Sequence, residues 1–136
     1  MDKLTPTDLK WLEERFAGYL DFGKEITRRK FELNYKPENA TPEIQKQPST
    51  QSQVENFVIK VTMDDYINDR IRWINGVEEV LKKCNSELKE LIECKFFEYP
   101  YYSWEDVGRH LHHSTAKVYR MRYKVMLMLA KEIDYI

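Results

Sequence analysis

The side chains best suited to chemistry in this sequence are a group of cations near its C-terminus. From Arg109 to Lys131 the chain has six Lys or Arg, three His and no Asp or Glu. The formal net charge of the whole chain is only -1, so this positive charge is local. Guanidinium and ammonium groups donate hydrogen bonds to phosphate oxygens and to base edges. The stretch therefore predicts contact with nucleic acid.

Two capping signals predict the helices that hold these cations. Ser103 stands three residues before Asp106, a spacing typical of a helix start, so a short helix should begin directly after Ser103. Ser114 or Thr115 can cap a following helix in the same way. Gly108 lies between them, in the short helix, where two helices that cross through a tight turn need a small side chain. The sequence thus predicts a helix-turn-helix over 103–129.

The second of these helices has an apolar side and a basic, aromatic side. The residues expected in the core recur at helical spacing: Val118, Met121, Val125, and Met128 or Leu129. In the short helix, Val107 and Leu111 are the expected inward pair. A helix of this kind, presented by a shorter one across a tight turn, can place its side chains in the major groove of duplex DNA.

The helical phase assigns a role to each residue on the outer side. Near base edges we expect Thr115, Lys117, Tyr119 and Arg120, close to the Ser114 cap. Near phosphates we expect Arg109, Tyr123 and Lys124. One position departs from the usual composition of such motifs, which often carry Gly at the turn. This chain has His112 there, and His adopts a left-handed backbone less easily than Gly does.

The rest of the chain also reads as helical, with one interruption. Apolar residues at helical spacing follow the Thr5-Pro6 start signal to about Asn34, with Gly18 and Gly23 as weak points. The stretch 36–56 is rich in Pro, Gln, Ser and Thr and reads as a linker. Helicity resumes near Met63 and, after a break at Asn85-Ser86, continues to Tyr99-Pro100. The prediction is an all-α protein with an N-terminal helical arm (1–35), a polar linker (36–56) and a helical domain (57–136).

Length and composition narrow the class of protein. With 136 residues, 42% of them hydrophobic and 33% charged, the chain fits one small globular domain with an appended arm. No apolar run reaches the length of a membrane span, and no apolar segment follows Met1, so we expect a cytoplasmic protein that contacts no membrane. Cys84 and Cys94 are the only cysteines and are expected to be reduced, buried thiols. We expect no cofactor.

The segment from Leu91 to Lys124 resembles region 4 of bacterial sigma factors. It has the same order of helix, aromatic and acidic connection, short helix, and Ser-opened recognition helix. More narrowly, the whole chain resembles the ArpU/RinA group of phage late-gene transcription regulators, which often end in a sequence like Ser114, Tyr119-Arg120 and Leu129-Ala130. This resemblance implies a phage or prophage protein that activates packaging, structural or lysis genes in the cytoplasm of a Gram-positive host.

Other interpretations of the same residues stay open. The two helices can form a plain hairpin with a solvated basic face, or dock on host RNA polymerase without touching DNA. The three His with Cys94 have the right ligand types for zinc, but their spacing fits no four-ligand pattern. The aromatic residues from Phe96 to Trp104 can stack on single-stranded bases, although core packing is the more common role. No nucleophile or nucleotide-binding motif indicates an enzyme. The N-terminal helix is compatible with a homodimer, with polymerase recruitment and with folding back on the rest of the chain.

Overall fold

Helices account for the regular structure of this computed structural model, which describes residues 3–34 and 50–136. Over those ranges the all-α prediction is confirmed. None of the described helices is both long enough and apolar enough to cross a membrane. The helices are α1 (Pro6–Ala17), α2 (Tyr19–Asn34), α3 (Thr50–Thr62), α4 (Asp65–Lys83), α5 (Ser86–Ile92), a π-helical turn (Glu93–Glu98), α6 (Trp104–Leu111) and α7 (Thr115–Glu132).

The first predicted helix is broken in two at Gly18. Thr5 caps α1 by accepting a hydrogen bond from the Asp8 N–H, and the Asp8 carboxylate accepts one from the Thr5 N–H in return. The two reciprocal bonds satisfy donors that a helix start otherwise leaves unpaired. α2 then begins at Tyr19, directly after the break.

The predicted linker is too long at its C-terminal end. α3 begins at Thr50, so residues 50–56 are helical, and helicity resumes well before Met63. The physical reason is that no Pro or Gly follows Pro48 in this stretch, while apolar residues from Val54 onward recur at helical spacing. The remainder of the predicted linker, residues 36–49, lies outside the described residues.

The chain forms two compact units, and α1 belongs to the same one as α6 and α7. This larger unit comprises the chain up to Leu20 together with Trp73–Ile136, and the smaller unit is Asp21–Arg72. Within the larger unit Leu12 and Phe16 are fully buried, and the Phe16 ring stacks on Phe96 with 5.2 Å between ring centroids. Of the alternatives for the N-terminal helix, folding back is the one that α1 adopts. The predicted N-terminal arm over 1–35 is thus divided, with α1 in the larger unit and Asp21 onward in the smaller one.

Polar contacts fix the N-terminus of α1 against α7 and the residues after it. The Leu4 N–H donates to the Tyr123 hydroxyl at 3.1 Å. The Tyr135 hydroxyl donates to the Asp8 carboxylate at 2.6 Å, and this bond is the main reason that the pKa of Asp8 is lowered. The N-terminus of α1 is thus bonded both to the middle of α7 and to the residues that follow it.

α5 and the π-helical turn connect α4 to the stretch before α6. Asn85 caps α5 by accepting from the Leu88 N–H at 2.9 Å, as the sequence predicts for Asn85-Ser86. The helix then widens into the π-helical turn, in which Cys94 and Phe96 are buried. Both cysteines are free, Cys94 buried and Cys84 half-buried, and burial raises the pKa of each thiol.

Ion pairs join α2 to the start of α4 in the smaller unit. Arg29 donates to Asp64 at 2.8 Å, and Arg70 lies 3.4 Å from Glu25. Because the lower-numbered partner on α2 meets the higher-numbered partner on α4, these two stretches run antiparallel. Ile67, which lies between Asp64 and Arg70 in the sequence, is fully buried.

Candidate nucleic-acid interface

α6 begins where the sequence predicts. The Ser103 hydroxyl accepts from the Asp106 N–H at 3.1 Å, and the Asp106 carboxylate accepts from the Ser103 N–H at 3.0 Å. This bond to the Ser103 backbone is the main reason that the pKa of Asp106 is lowered. The capping box fixes the first turn of α6, and Trp104 and Val107 are buried behind it.

The turn between α6 and α7 has a left-handed residue at the position where this chain carries His instead of the usual Gly. His112 has φ 61° and ψ 42°, a conformation that His can adopt at a modest cost. The His113 N–H donates to the Gly108 carbonyl at 2.8 Å, which satisfies one of the carbonyls that a helix end leaves open. The chain therefore makes a tight turn here without Gly.

Gly108 is the small residue that the close approach of the two helices needs. A Cβ at this position would lie 3.1 Å from the His113 carbonyl oxygen as well as against Val118 of α7. This distance and the 3.0 Å to the Val118 Cγ2 atom are both tighter than ordinary contacts. The role predicted for Gly108 is confirmed.

α7 starts at a Ser114 cap, whose hydroxyl accepts from the Lys117 N–H at 3.2 Å. The predicted core stripe is confirmed, with these residues buried: Val118, Met121, Val125 and Leu129. Met128 is half-buried, so Leu129 is the core residue of the two alternatives. With the stripe in place, the opposite side of α7 faces away from the core.

Two cations dominate that opposite side. Arg120 and Lys124 are both exposed, and they are four residues apart, so they lie on one stripe of the helix. Within the described part of the chain neither makes an ion pair. Ser114, Thr115 and Ala116 are also exposed, at the N-terminal end of α7. α7 therefore has five exposed residues in this region, two of which are cations without an ion-pair partner among the described residues.

Lys117 belongs to the same end of α7 but has a carboxylate partner. Its ammonium group lies 3.1 Å from the carboxylate of Glu87 on α5. About two fifths of the Lys117 side chain stays accessible, at 39%, so the pair is at the surface. Surface pairs of this kind contribute little to stability and exchange readily with other partners.

Tyr119 is joined to the first turn of α6. Its hydroxyl donates to the Glu105 carboxylate at 2.5 Å. The bond lowers the pKa of Glu105 and raises the pKa of Tyr119, and in each case it is the largest cause. The residue is still 38% exposed although its hydroxyl is held.

Arg109 stands on the exposed side of α6. Its guanidinium group pairs with Asp106 one turn earlier, and 73% of its side chain is accessible. Of the cations predicted to contact phosphate, Arg109 is thus exposed but partnered, whereas Lys124 is exposed without an ion-pair partner among the described residues.

Tyr123 is placed apart from the other predicted residues. It is half-buried, and its hydroxyl accepts the hydrogen bond from the Leu4 backbone. Its neighbour Arg122 is also turned inward, where it pairs with Glu13, which in addition accepts from the Trp104 indole at 3.0 Å. These contacts tie α7 to α1, and they give Tyr123 a structural role that its sequence position did not reveal.

The sequence count of charges missed the carboxylates that other elements contribute. The acid-free stretch is acid-free only along the chain. In space, four carboxylates lie against its cations and tyrosines, one from α1, one from α5 and two from the first turn of α6: Glu13, Glu87, Glu105 and Asp106. Helical phase alone cannot find such partners, because they depend on which helices pack together.

The aromatic residues before α6 divide into two groups. Phe96 and Trp104 are buried and meet edge to face at 5.8 Å between centroids, as expected for core residues. Tyr101, in contrast, is 77% exposed, and its ring contacts Tyr99 and Tyr102. Over the ranges that the structure covers, no group of three or more His, Cys, Asp or Glu is arranged to hold a metal ion.

The chain is thus an all-α protein whose best candidate site is an exposed cationic helix side. It belongs to the family described as "Protein of unknown function (DUF722)", which matches residues 7–131. No curated protein and no solved structure matches the chain.

Proposed function

We propose that this protein binds duplex DNA through α6, the turn at His112 and α7, and that it regulates transcription. In this proposal the two helices form a helix-turn-helix like that of sigma factor region 4, with α7 as the recognition helix in the major groove. Thr115, Lys117, Tyr119 and Arg120 contact base edges. Arg109 and Lys124 contact phosphates.

The observation that carries the proposal is the pair of exposed cations on one stripe of α7. A cation already paired with a carboxylate gains little by moving to a phosphate, because it exchanges one partner for another. Arg120 and Lys124 have no such competitor among the described residues, and they stand within about three turns of a capped helix start whose side chains are small and exposed. Small residues at that end allow the backbone to approach a groove closely.

The target genes come from the resemblance to the ArpU/RinA group rather than from geometry. On that resemblance we propose a phage or prophage regulator that activates late genes from promoter-proximal sites. The chain's overall charge of -1 is compatible with this activity, because binding depends on where the charges lie. Host RNA polymerase is then a second partner.

A mutant comparison tests the proposal. The double variant Arg120→Ala/Lys124→Ala should lose at least about tenfold in affinity for duplex DNA from the promoter region upstream of the phage late genes. The matched control, Arg28→Ala/Lys24→Ala, removes the same two charges from exposed positions of α2 and should bind as the parent does.

A pull-down with host RNA polymerase separates the alternative. If the Arg120 and Lys124 variant still binds polymerase but not DNA, the DNA-binding proposal is supported. If the variant binds DNA normally and loses polymerase instead, the α7 surface is a protein-docking site and the proposal is wrong.

A further inference from the structure

An open groove lies between two tyrosines and the exposed side of α6. The groove has a volume of about 400 Å³ and is lined by Tyr101, Tyr102, Asp106, Arg109 and His110. Its three α6 residues are spaced at i, i+3 and i+4, so they lie on one side of that helix. All five residues belong to the larger unit. We call this feature the tyrosine groove.

The tyrosines of the groove differ from other tyrosines of the larger unit in how their hydroxyls are used. Elsewhere in this unit, four tyrosine hydroxyls form a hydrogen bond with a carboxylate or with the backbone: those of Tyr19, Tyr119, Tyr123 and Tyr135. In contrast, the hydroxyls of Tyr101 and Tyr102 make no hydrogen bond within the described part of the chain. Two hydroxyl donors are therefore available at the groove.

Ring packing holds the two tyrosines in place. Tyr102 stacks on Tyr99 with 4.6 Å between ring centroids, and Tyr101 meets Tyr102 edge to face at 5.2 Å. The centroid of the His110 ring lies 4.9 Å from that of Tyr99 and 5.8 Å from that of Tyr102. Separations in this range are favourable for aromatic pairs. Because these rings already restrain one another, binding a ligand costs them less conformational entropy.

The charged side chains of the groove add donors but almost no net charge. The Asp106 carboxylate already accepts hydrogen bonds on both oxygens, from the Ser103 N–H and from Arg109. Arg109 keeps further N–H groups for an outside acceptor, and 73% of its side chain is accessible. The pKa of Tyr102 is raised, mainly by desolvation, so its hydroxyl keeps its proton. The groove thus offers several donors, while its carboxylate and its guanidinium group balance each other.

We propose that the tyrosine groove binds a phosphate of the DNA backbone, beside the base pairs that α7 contacts. Tyr101 and Tyr102 donate from their hydroxyls to the phosphate oxygens, Arg109 donates from its guanidinium group, and the exposed His110 ring supplies a further donor. This inference rests on the proposed function. In helix-turn-helix complexes the first helix crosses the backbone while the second enters the major groove, and α6 is the first helix here.

The small net charge of the groove favours a phosphate within DNA over a free anion. A free phosphate ion must be drawn from solution by positive charge, and Arg109 is already balanced by Asp106. A backbone phosphate is brought to the groove by the cations of α7, and neutral hydroxyls then suffice to position it. A cationic ligand, which tyrosine rings also attract, is disfavoured because Arg109 lines the same groove.

Removing the hydroxyls alone tests the groove. The double variant Tyr101→Phe/Tyr102→Phe keeps both rings, and its melting temperature should match that of the wild type because these hydroxyls bond nothing within the described residues. Its affinity for duplex DNA from the late promoter region, and for an unrelated duplex, should fall about three- to tenfold. The control Tyr135→Phe removes a hydroxyl that donates to Asp8 instead, and it should bind DNA as the wild type does.

The salt dependence of binding distinguishes this site from the cationic contacts. A neutral hydroxyl displaces no counterion, so the slope of log affinity against log salt should be the same in the double Phe variant as in the wild type. Lys124→Ala should instead reduce that slope by about 0.9. A double Phe variant that binds as tightly as the wild type, or whose slope falls as that of Lys124→Ala does, would overturn the proposal.

Two further measurements identify what occupies the groove. The NMR signals of the His110 ring should shift when duplex DNA is added, and they should stay in place with a large excess of inorganic phosphate at matched ionic strength. Equal shifts with both would make the groove a site for free anions, and the proposal would be wrong. It would also be wrong if the double Phe variant bound DNA normally but lost host RNA polymerase in a pull-down.

A failure of this inference differs from a failure of the proposed function. If the wild type does not bind duplex DNA, both are wrong. If the wild type binds with the expected salt dependence and the double Phe variant binds equally well, only the groove assignment is wrong, and the contacts proposed for Arg120 and Lys124 stand.

Discussion

Gly108 of α6 lies so close to Val118 of α7 that a Cβ at position 108 would stand 3.0 Å from the Val118 Cγ2 atom. Since Val118 is fully buried, it has little room to move away. The spacing between the two helices of the candidate site thus depends on the absence of one carbon atom.

Gly108→Ala should therefore destabilise the protein. We expect a loss of about 1 to 3 kcal/mol in the free energy of unfolding, the usual cost of overpacking a close contact. Gly23→Ala is the matched control, because a Cβ there meets nothing within 4 Å and Ala favours a helix, so that variant should gain up to about 1 kcal/mol. Urea unfolding of both variants measures the difference. Equal or greater stability of Gly108→Ala would mean that the helices are not packed as described.

His112 provides a prediction of the opposite sign. A left-handed backbone costs a residue with a side chain about 1 kcal/mol, and Gly avoids this cost. Gly also raises the conformational entropy of the unfolded chain, which offsets part of that gain. His112→Gly should raise the free energy of unfolding by a few tenths of a kcal/mol up to about 1 kcal/mol. The same change at His110, which is helical and exposed, should lower it by about 0.5 kcal/mol. Thermal melts of the two variants should shift in opposite directions, and parallel shifts would contradict the turn geometry.

The carboxylates around α7 predict that removing negative charge strengthens binding. Glu105 holds the Tyr119 hydroxyl and Glu87 holds the Lys117 ammonium group, so both compete with DNA for these donors. Glu87→Gln and Glu105→Gln should each raise affinity for duplex DNA by about two- to fivefold at low salt. Glu32→Gln, at an exposed position of α2, is the control and should have no effect. A weaker complex with either variant would mean that these carboxylates position the donors for DNA rather than compete with it.

Asp64 gives a pH-dependent prediction for the smaller unit. The hydrogen bond from Arg29 is the main cause that lowers the pKa of Asp64 below its ordinary value of 3.8. A lowered folded-state pKa stabilises the fold above the ordinary pKa, and this contribution is lost as the pH falls through the lowered value. Asp64→Asn should therefore melt at a lower temperature than the wild type at pH 7, and the gap should narrow at a pH below that ordinary value. A gap that is the same at both pH values would contradict the ion pair as its cause.

Much of the candidate site was accessible to sequence reasoning because its signals are local. The caps at Ser103 and Ser114 and the core stripe from Val118 to Leu129 depend on neighbours within one or two helical turns. The close approach at Gly108 was also readable from residue type. Such features are set by backbone hydrogen bonding and helical period, which act over a few residues.

The features that sequence reasoning missed depend on which helices pack together. Glu13 is 109 positions from Arg122, and no pattern along the chain links them. The bond between the Tyr123 hydroxyl and the Leu4 backbone could not be predicted for the same reason. The start of α3 was missed because residues 50–56 are polar enough to read as linker, and polarity alone does not distinguish an exposed helix from a loop.

The salt dependence of DNA binding tests the central claim most directly. Fluorescence anisotropy with duplex DNA from the late promoter region, measured between about 50 and 300 mM salt, should give an affinity that falls steeply as salt rises, with a slope near 0.9 for each phosphate contact. Lys124→Ala should weaken binding to all sequences and reduce that slope by about one contact, whereas Lys117→Ala should mainly relax sequence preference. Binding that is absent, or that does not change with salt in the wild type, would contradict a DNA-binding role for α6 and α7.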